Sequence, residues 1–170
     1  IAALDQAMER DSLLMLVAQR DAQRDDPHIE DLYSVGTVAR VRQVMRLPDG
    51  AMRVLAEGEN RAHLLGVLEQ GDLLTAQVRR FSSRGAEDEV QMLAHLRVVK
   101  RLAKKYMELR EMSSPELQQA MLGADDADAL TDTLAHNLLT SIKDKQLILE
   151  CRDLMGRVES LSTILSRERL

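Results

Sequence analysis

The sequence predicts an α+β protein, with a β-rich first half followed by an all-helical bundle. Three observations predict it. Apolar residues alternate at a period of two from Val35, Leu47-Pro48-Asp49-Gly50 forms a turn between two such runs, and beyond residue 87 the apolar period becomes helical. The change of character falls near residue 82, which predicts a β-rich unit over 1–81 and a helical unit over 82–170. A chain of 170 residues is long enough for one domain or two small ones. Its composition, 45% hydrophobic and 30% charged, is that of a folded chain and not a disordered one.

Ile1, Leu4, Ala7 and Met8 are spaced for a short amphipathic helix. Leu13 to Val17 is an apolar run of strand length, and Arg20 to Asp31, with Asp25-Asp26-Pro27, is a polar loop. From Val35, Thr37, Ala39, Val41, Met45 and Leu47 are expected on one face of a strand. Arg40, Arg42 and Arg46 are expected on the other. In the turn Pro48 presets φ and Gly50 accepts a positive φ. Met52 to Ala56 returns as the second arm, Gly58 is expected to break it, and Ala62–Leu68 and Leu73–Phe81 form two further runs around Gly71-Asp72.

In the second half, Met92, Leu96, Val99, Leu102, Ala103, Tyr106 and Leu109 share one face of a helix over 87–110. Ser114-Pro115 reads as an N-cap with Pro at the first helical position, and Gly123 as a stop. Asp125-Asp126, Ser141 and Asp153 precede three more apolar-periodic segments, so short helices separated by caps predict a bundle.

Several chemistries have no footing in the sequence. None of the eight Gly residues precedes a Lys, so no phosphate loop is present. His28, His63, His95 and His136 lack metal-ligand spacing, and no metal site is expected. Ser141 and Lys143 point apart on a helix, which leaves Ser141 as a cap, and no catalytic residue is proposed. The single Cys151 cannot form an internal disulfide, which suits a reducing, cytoplasmic compartment. No apolar run approaches the roughly 20 residues of a membrane span, so no membrane partner is expected.

Arg97, Lys100, Arg101, Lys104 and Lys105 form one stripe of the long helix, a candidate for phosphate backbones. A solvated face opposite the apolar one predicts the same stripe without a ligand. The net charge of −5, spread over both halves, opposes nucleic acid as the main partner, so DNA binding is expected to be weak. Only three aromatics leave no platform for stacking bases. Met8, Met15 and Met92 are expected in the core; Met107, Met112, Met121 and Met155 fit either core or surface.

Particular residue strings add to this pattern. Ile1 to Met8, Leu16 to Gln19, Asp31 to Ala39, Leu47 to Gly50 and Val54 to Gly58 with Arg61-Ala62 occur in one order. Together they closely resemble the N-terminal region of the Lon family of ATP-dependent serine proteases. Ala129 to His136, Lys143 to Gln146 and Asp153 to Val158 continue the resemblance into the helical half. Ala56, Glu59-Asn60 and the stretch after Phe81 depart from the family pattern.

The resemblance implies a PUA-like β-rich subdomain followed by a helical bundle. It implies a non-catalytic module that recognises unfolded or damaged proteins and supports assembly with other Lon subunits in a hexameric, cytoplasmic, bacterial parent. ATP and Mg, with the serine–lysine dyad, would belong to other domains of that parent, and no cofactor is expected in this segment. Met45, Leu47 and Met52, near the hairpin, are the substrate-binding candidates. Nucleic-acid binding through the basic stripe, or a purely structural role in ring assembly, are the competing readings.

The resemblance also implies further strands ahead of Ile1. A sheet deprived of a neighbouring strand recruits other chains through its edge. The chain beginning at Ile1 is therefore expected to melt earlier or self-associate more than a version carrying about 20–30 preceding residues, enough for two strands. Thermal melts with light scattering check this; equal melting and equal monodispersity would overturn it.

Overall fold

Residues 1–123 and 126–167 are described by a computed structural model, and Asp125 of the predicted capping pair lies outside them. An antiparallel sheet precedes a set of helices, and the chain divides into two units, Ile1–Ser82 and Ser83–Leu170.

The first unit opens with α1 (Ala2–Glu9), which buries Leu4 and Ala7. Four antiparallel strands follow in the order β1-β2-β3-β4: β1 (Leu13–Leu16), β2 (Val35–Arg46), β3 (Met52–Gln70) and β4 (Leu73–Phe81). The loop between β1 and β2 is polar as expected and is closed by Arg24–Asp31 at 2.8 Å. Gly50 and Gly71 sit at φ +86° and +62° in the two hairpin turns, a conformation costly for any residue with a Cβ.

Two expectations about the strands are corrected. Gly58 does not break the second arm, because β3 runs unbroken for 19 residues and pairs with β2 and then β4. What Gly58 does is let β2 approach: a Cβ there would lie 3.2 Å from Thr37 Cγ2. Gly36 is tighter still, since a Cβ would meet the Leu16 carbonyl oxygen at 2.3 Å and so prevent β1 from pairing.

The second correction concerns the period of two. Val41 pairs with Ala56 but Gln43 with Leu55, which leaves Arg42 as an extra residue in β2. Glu59 is likewise extra in β3 opposite Val38-Ala39, and Leu65 is extra opposite β4. A bulge of one residue flips every later side chain to the other face. Met45 therefore does not continue the face of Val41, and instead stands 46% exposed. Arg40–Glu59 at 2.6 Å and Arg42–Glu57 at 2.8 Å span these irregularities. Met8 is also corrected from core to surface. The buried apolar set of this unit is small: Leu4, Ala7, Val35, Val38, Ala39, Val41 and Ala62.

The second unit comprises α2 (Glu89–Leu109), α3 (Pro115–Gly123), α4 (Ala127–Leu138), α5 (Ile142–Glu150) and α6 (Leu154–Arg167). Each helix start is capped by a side chain. Asp88, Ser114, Asp126, Ser141 and Asp153 accept from the backbone N–H groups of Gln91, Leu117, Asp128, Asp144 and Gly156 at 3.0–3.4 Å, each worth about 1 kcal/mol. The predicted α2 face is buried except at Leu102, which is partly buried, and at its end, where Leu109 is 66% exposed. Tyr106 can be buried because its hydroxyl donates to the Leu138 carbonyl at 3.0 Å. Helix α2 stops where Met112 N–H bonds the Met107 carbonyl and Glu111 N–H the Glu108 carbonyl. That is the Schellman pattern, with Glu111 at φ +51° where glycine is usual, a cost of about 1 kcal/mol.

One charge lies inside. Arg157 is fully buried, and four of its N–H groups are spoken for. Nη1 donates to Asp128, Nε and Nη2 both donate to the Cys151 carbonyl, at 3.0 and 2.7 Å, and Nη2 also donates to Ser83 Oγ at 2.8 Å. The Asp128 side chain is 43% exposed, so the buried charge of this pair is the guanidinium alone. Arg157→Met leaves the Cys151 carbonyl without its donors and is expected to lower the stability of the helical unit by about 1–3 kcal/mol. Arg157→Lys should recover only part, because a point ammonium cannot reproduce the planar fork. Urea unfolding followed by helical circular dichroism measures both, and wild-type midpoints would refute the role.

Candidate functional site

In the β2–β3 hairpin, Val44 pairs with Val54 and Arg46 with Met52, so these four share one face. That face meets α1: Leu4, Met8, Val44 and Met52 line a shallow cleft of about 600 Å³, bordered by the Arg46–Asp5 ion pair at 3.4 Å. The bulge at Arg42 is what turns Val44, and not Met45, toward α1. Met45 and Leu55 project from the other side of the hairpin, and Leu47 sits half-buried at the turn, held by backbone bonds to Ala51 and Gly50. The three sequence-derived candidates thus split. Met52 joins a cleft, Met45 joins an open face, and Leu47 belongs to the turn.

Helix α1 also borders a second cleft of about 520 Å³. Its small residues Ala3 and Ala7 face Leu14 of β1, Val67 of β3 and Leu74 of β4. Both end strands of the sheet order line this space, and among the described residues β1 pairs only with β2 and β4 only with β3.

Sequence reasoning did not single out four exposed leucines, which lie on both faces of the sheet. Leu55, Leu65, Leu68 and Leu74 are each about half exposed or more. A signal existed in Leu64-Leu65-Gly66-Val67-Leu68, where both alternations are apolar although a sheet with so small a core can cover only one of them. His63 is exposed and lies against Phe81, ring centroids 4.7 Å apart. Among the described residues no group of three or more His, Cys, Asp or Glu is placed to hold a metal, and no helix is long and apolar enough to cross a membrane.

In the helical unit, Arg97, Arg101, Lys104 and Lys105 are exposed and Lys100 is half-buried, opposite buried Leu96, Val99, Ala103 and Tyr106. The stripe is real but divided. Lys100, Arg101 and Lys104 border a cleft, and Arg97 and Lys105 do not.

A bulged sheet with aliphatic side chains in solvent, followed by a capped helical unit, offers apolar surface for binding. The chain belongs to the family described as the ATP-dependent protease La (LON) substrate-binding domain, whose model matches residues 1–167. It is 36% identical to the Lon protease of Erwinia amylovora over 168 residues, and 37% identical to that of Xanthomonas oryzae pv. oryzae over 166. These matches cover 99% and 98% of this chain but 21% and 20% of those proteins, so the chain spans about a fifth of their length. Its fold is similar to the N-terminal domain of Mycobacterium avium complex Lon protease, with a TM-score of 0.76 and 25% identity over 97% of this chain and 83% of that one. A Lon N-terminal domain protein from Xanthomonas campestris shares the fold at a TM-score of 0.61, covering 93% of this chain and 79% of that one, with 17% identity. The 170 residues correspond to the substrate-binding domain of that family.

The divided stripe bears on nucleic acid. With at most five phosphates to neutralise, duplex binding is expected to be weak, independent of sequence, and largely lost between about 50 and 200 mM salt. Titration of a labelled duplex at the two salts checks this. Tight binding that disappears when the five cations become Ala would contradict it.

Proposed function

We propose that this chain captures unfolded or damaged proteins for an ATP-dependent Lon protease in a bacterial cytoplasm, where copies of the parent assemble as a homo-oligomer. One observation carries the capture step: the hairpin and its neighbouring strand hold aliphatic side chains in water. Met45 is 46% exposed, Val54 39%, Leu55 59% and Leu68 58%. A folded protein presents few such groups together, whereas an unfolded chain can cover them with its own apolar residues at about 25 cal/mol per Å².

The chemistry asks nothing more specific than that. Met side chains adapt to differently shaped neighbours, so Met45 on the open face, and Met8 with Met52 in the cleft on the other side, can each accept many sequences. An extended segment must also satisfy its own backbone, and a strand edge supplies partners for it. The family membership and the Lon protease relatives support protein as the class of ligand.

Retardation of aggregation of a chemically denatured client enzyme tests the reading. Met45→Glu with Leu55→Glu places two charges on the open face and is expected to weaken protection about tenfold, or ~1.4 kcal/mol. Leu147→Glu, equally exposed but on α5 of the other unit, serves as the control and should change little. No protection by the wild-type chain, or equal loss in the control, would overturn it.

A further inference from the structure

The C-terminal half of α2 carries an ordered row of chemistry. Lys100, Arg101, Lys104, Met107, Glu108 and Glu111 fall at spacings that keep them on one stripe, cations first and carboxylates last. All six line a cleft of about 640 Å³ whose far side is Gln118, Met121 and Leu122 of α3, with Met112 between. Its floor is thioether and aliphatic: Met107 is buried, Met112 and Met121 are partly buried against the core, and Leu122 at the rim is 85% exposed. None of the five charged side chains forms an ion pair with another described residue.

We infer that this cleft is a docking site for an amphipathic helix of a partner protein, with carboxylates in its first turn and cations in its last. Three features select that occupant. The volume and lining suit a few apolar side chains, and Met lets the floor adjust to them. The long wall is α2, whose backbone groups are used within the helix as far as its Schellman end, so an extended segment laid along it would bury unpaired N–H and C=O groups, whereas a helix brings its own satisfied. The charge order then fixes direction. Acids at the start of the helix meet Lys100, Arg101 and Lys104, cations at its end meet Glu108 and Glu111, and the helix lies parallel to α2. Carboxylates at a helix start and cations at its end are also the arrangement that its own dipole favours. The proposal rests on the protein-binding reading only in that its occupant is a polypeptide; it uses a different surface on a different unit.

Fluorescence anisotropy with two labelled synthetic peptides of about 15 residues tests it. Both carry the same Leu-rich face; one has Glu in its first turn and Lys in its last, and the other has these exchanged. The 170-residue chain is expected to prefer the Glu-first peptide by about tenfold at low salt. Leu122→Glu should weaken binding of both peptides by a similar factor. The charge-exchanged variant, with Lys100→Glu and Lys104→Glu together with Glu108→Lys and Glu111→Lys, should reverse the preference, a result that misfolding cannot produce. Equal affinity for the two peptides, no binding, or an unreversed preference would overturn the inference. So would displacement of the peptide by duplex DNA, which would make the cleft a phosphate site. Loss of peptide binding in the Met45→Glu, Leu55→Glu variant but not in Leu122→Glu would assign the peptide to the hairpin surface, ending this inference while leaving substrate capture standing. Peptide binding without client protection would do the reverse.

Discussion

Burying a guanidinium is the constraint on which the helical unit depends. Arg157 has no access to water, and an ion in that position costs several kcal/mol unless its donors are met. The partners come from three places: the first turn of α4, the carbonyl between α5 and α6, and the segment ahead of α2. All three must arrive together. The caps explain how they can. Asp126 sets where α4 begins and so where Asp128 points, and Asp153 sets where α6 begins and so where Arg157 points. Backbone bonds from Arg84 to the Arg152 carbonyl and from Leu154 to the Arg84 carbonyl bring Ser83 into range. An aliphatic core of Leu and Val would tolerate small slides of one helix on another; a planar fork with three fixed acceptors would not.

The sheet unit is governed by the opposite circumstance, a core too small to dictate much. Side-chain direction is set there by where extra residues enter the ladder. Arg42, Glu59 and Leu65 each displace the alternation by one, and cross-strand Arg–Glu pairs accompany the first two. Exposed pairs of this kind contribute only about 0–1 kcal/mol, so their consequence is geometric more than energetic. They hold the bulges that send Val44 toward α1 and leave Met45 in solvent.

This difference explains what could be read from the sequence. Helix starts were legible because a cap is a local event: Ser114, Asp126, Ser141 and Asp153 need only the three residues that follow them. The face of α2 was legible for the same reason, up to Leu109, where the chain turns away. The α+β order and the Leu47–Gly50 turn were equally local. The bulges were not, since an extra residue exists only relative to a partner strand, and no count along β2 alone reveals that Arg42 has no opposite number. Gly58 misled because a glycine that permits close approach of β2 looks in sequence like one that ends a strand. Arg157 gave no signal of burial: an arginine in a helix is ordinarily a surface residue, and its acceptors lie far away in the chain. Of the exposed aliphatic side chains, Met45 was named from its place beside the hairpin turn, whereas Leu55, Leu65, Leu68 and Leu74 were not.

An aliphatic surface left in water must still avoid pairing with copies of itself. In the hairpin the means is interleaving. Arg53 stands between Met52 and Val54, Arg46 follows Met45, and Glu57 and Glu59 follow Leu55 within a few residues. Arg53, directly opposite Met45, and the nearby carboxylates raise the cost of laying one flat sheet on another, because they would have to be desolvated together. A single flexible segment avoids that cost, since it can place its apolar side chains on Met45 or Leu55 and leave the arginines hydrated. Charge spacing of this kind separates an unfolded segment from a folded neighbour by how much polar surface each must strip of water, and not by the sequence it carries. Under the proposed capture role, selectivity for the unfolded state and tolerance of many sequences would both follow from that arrangement.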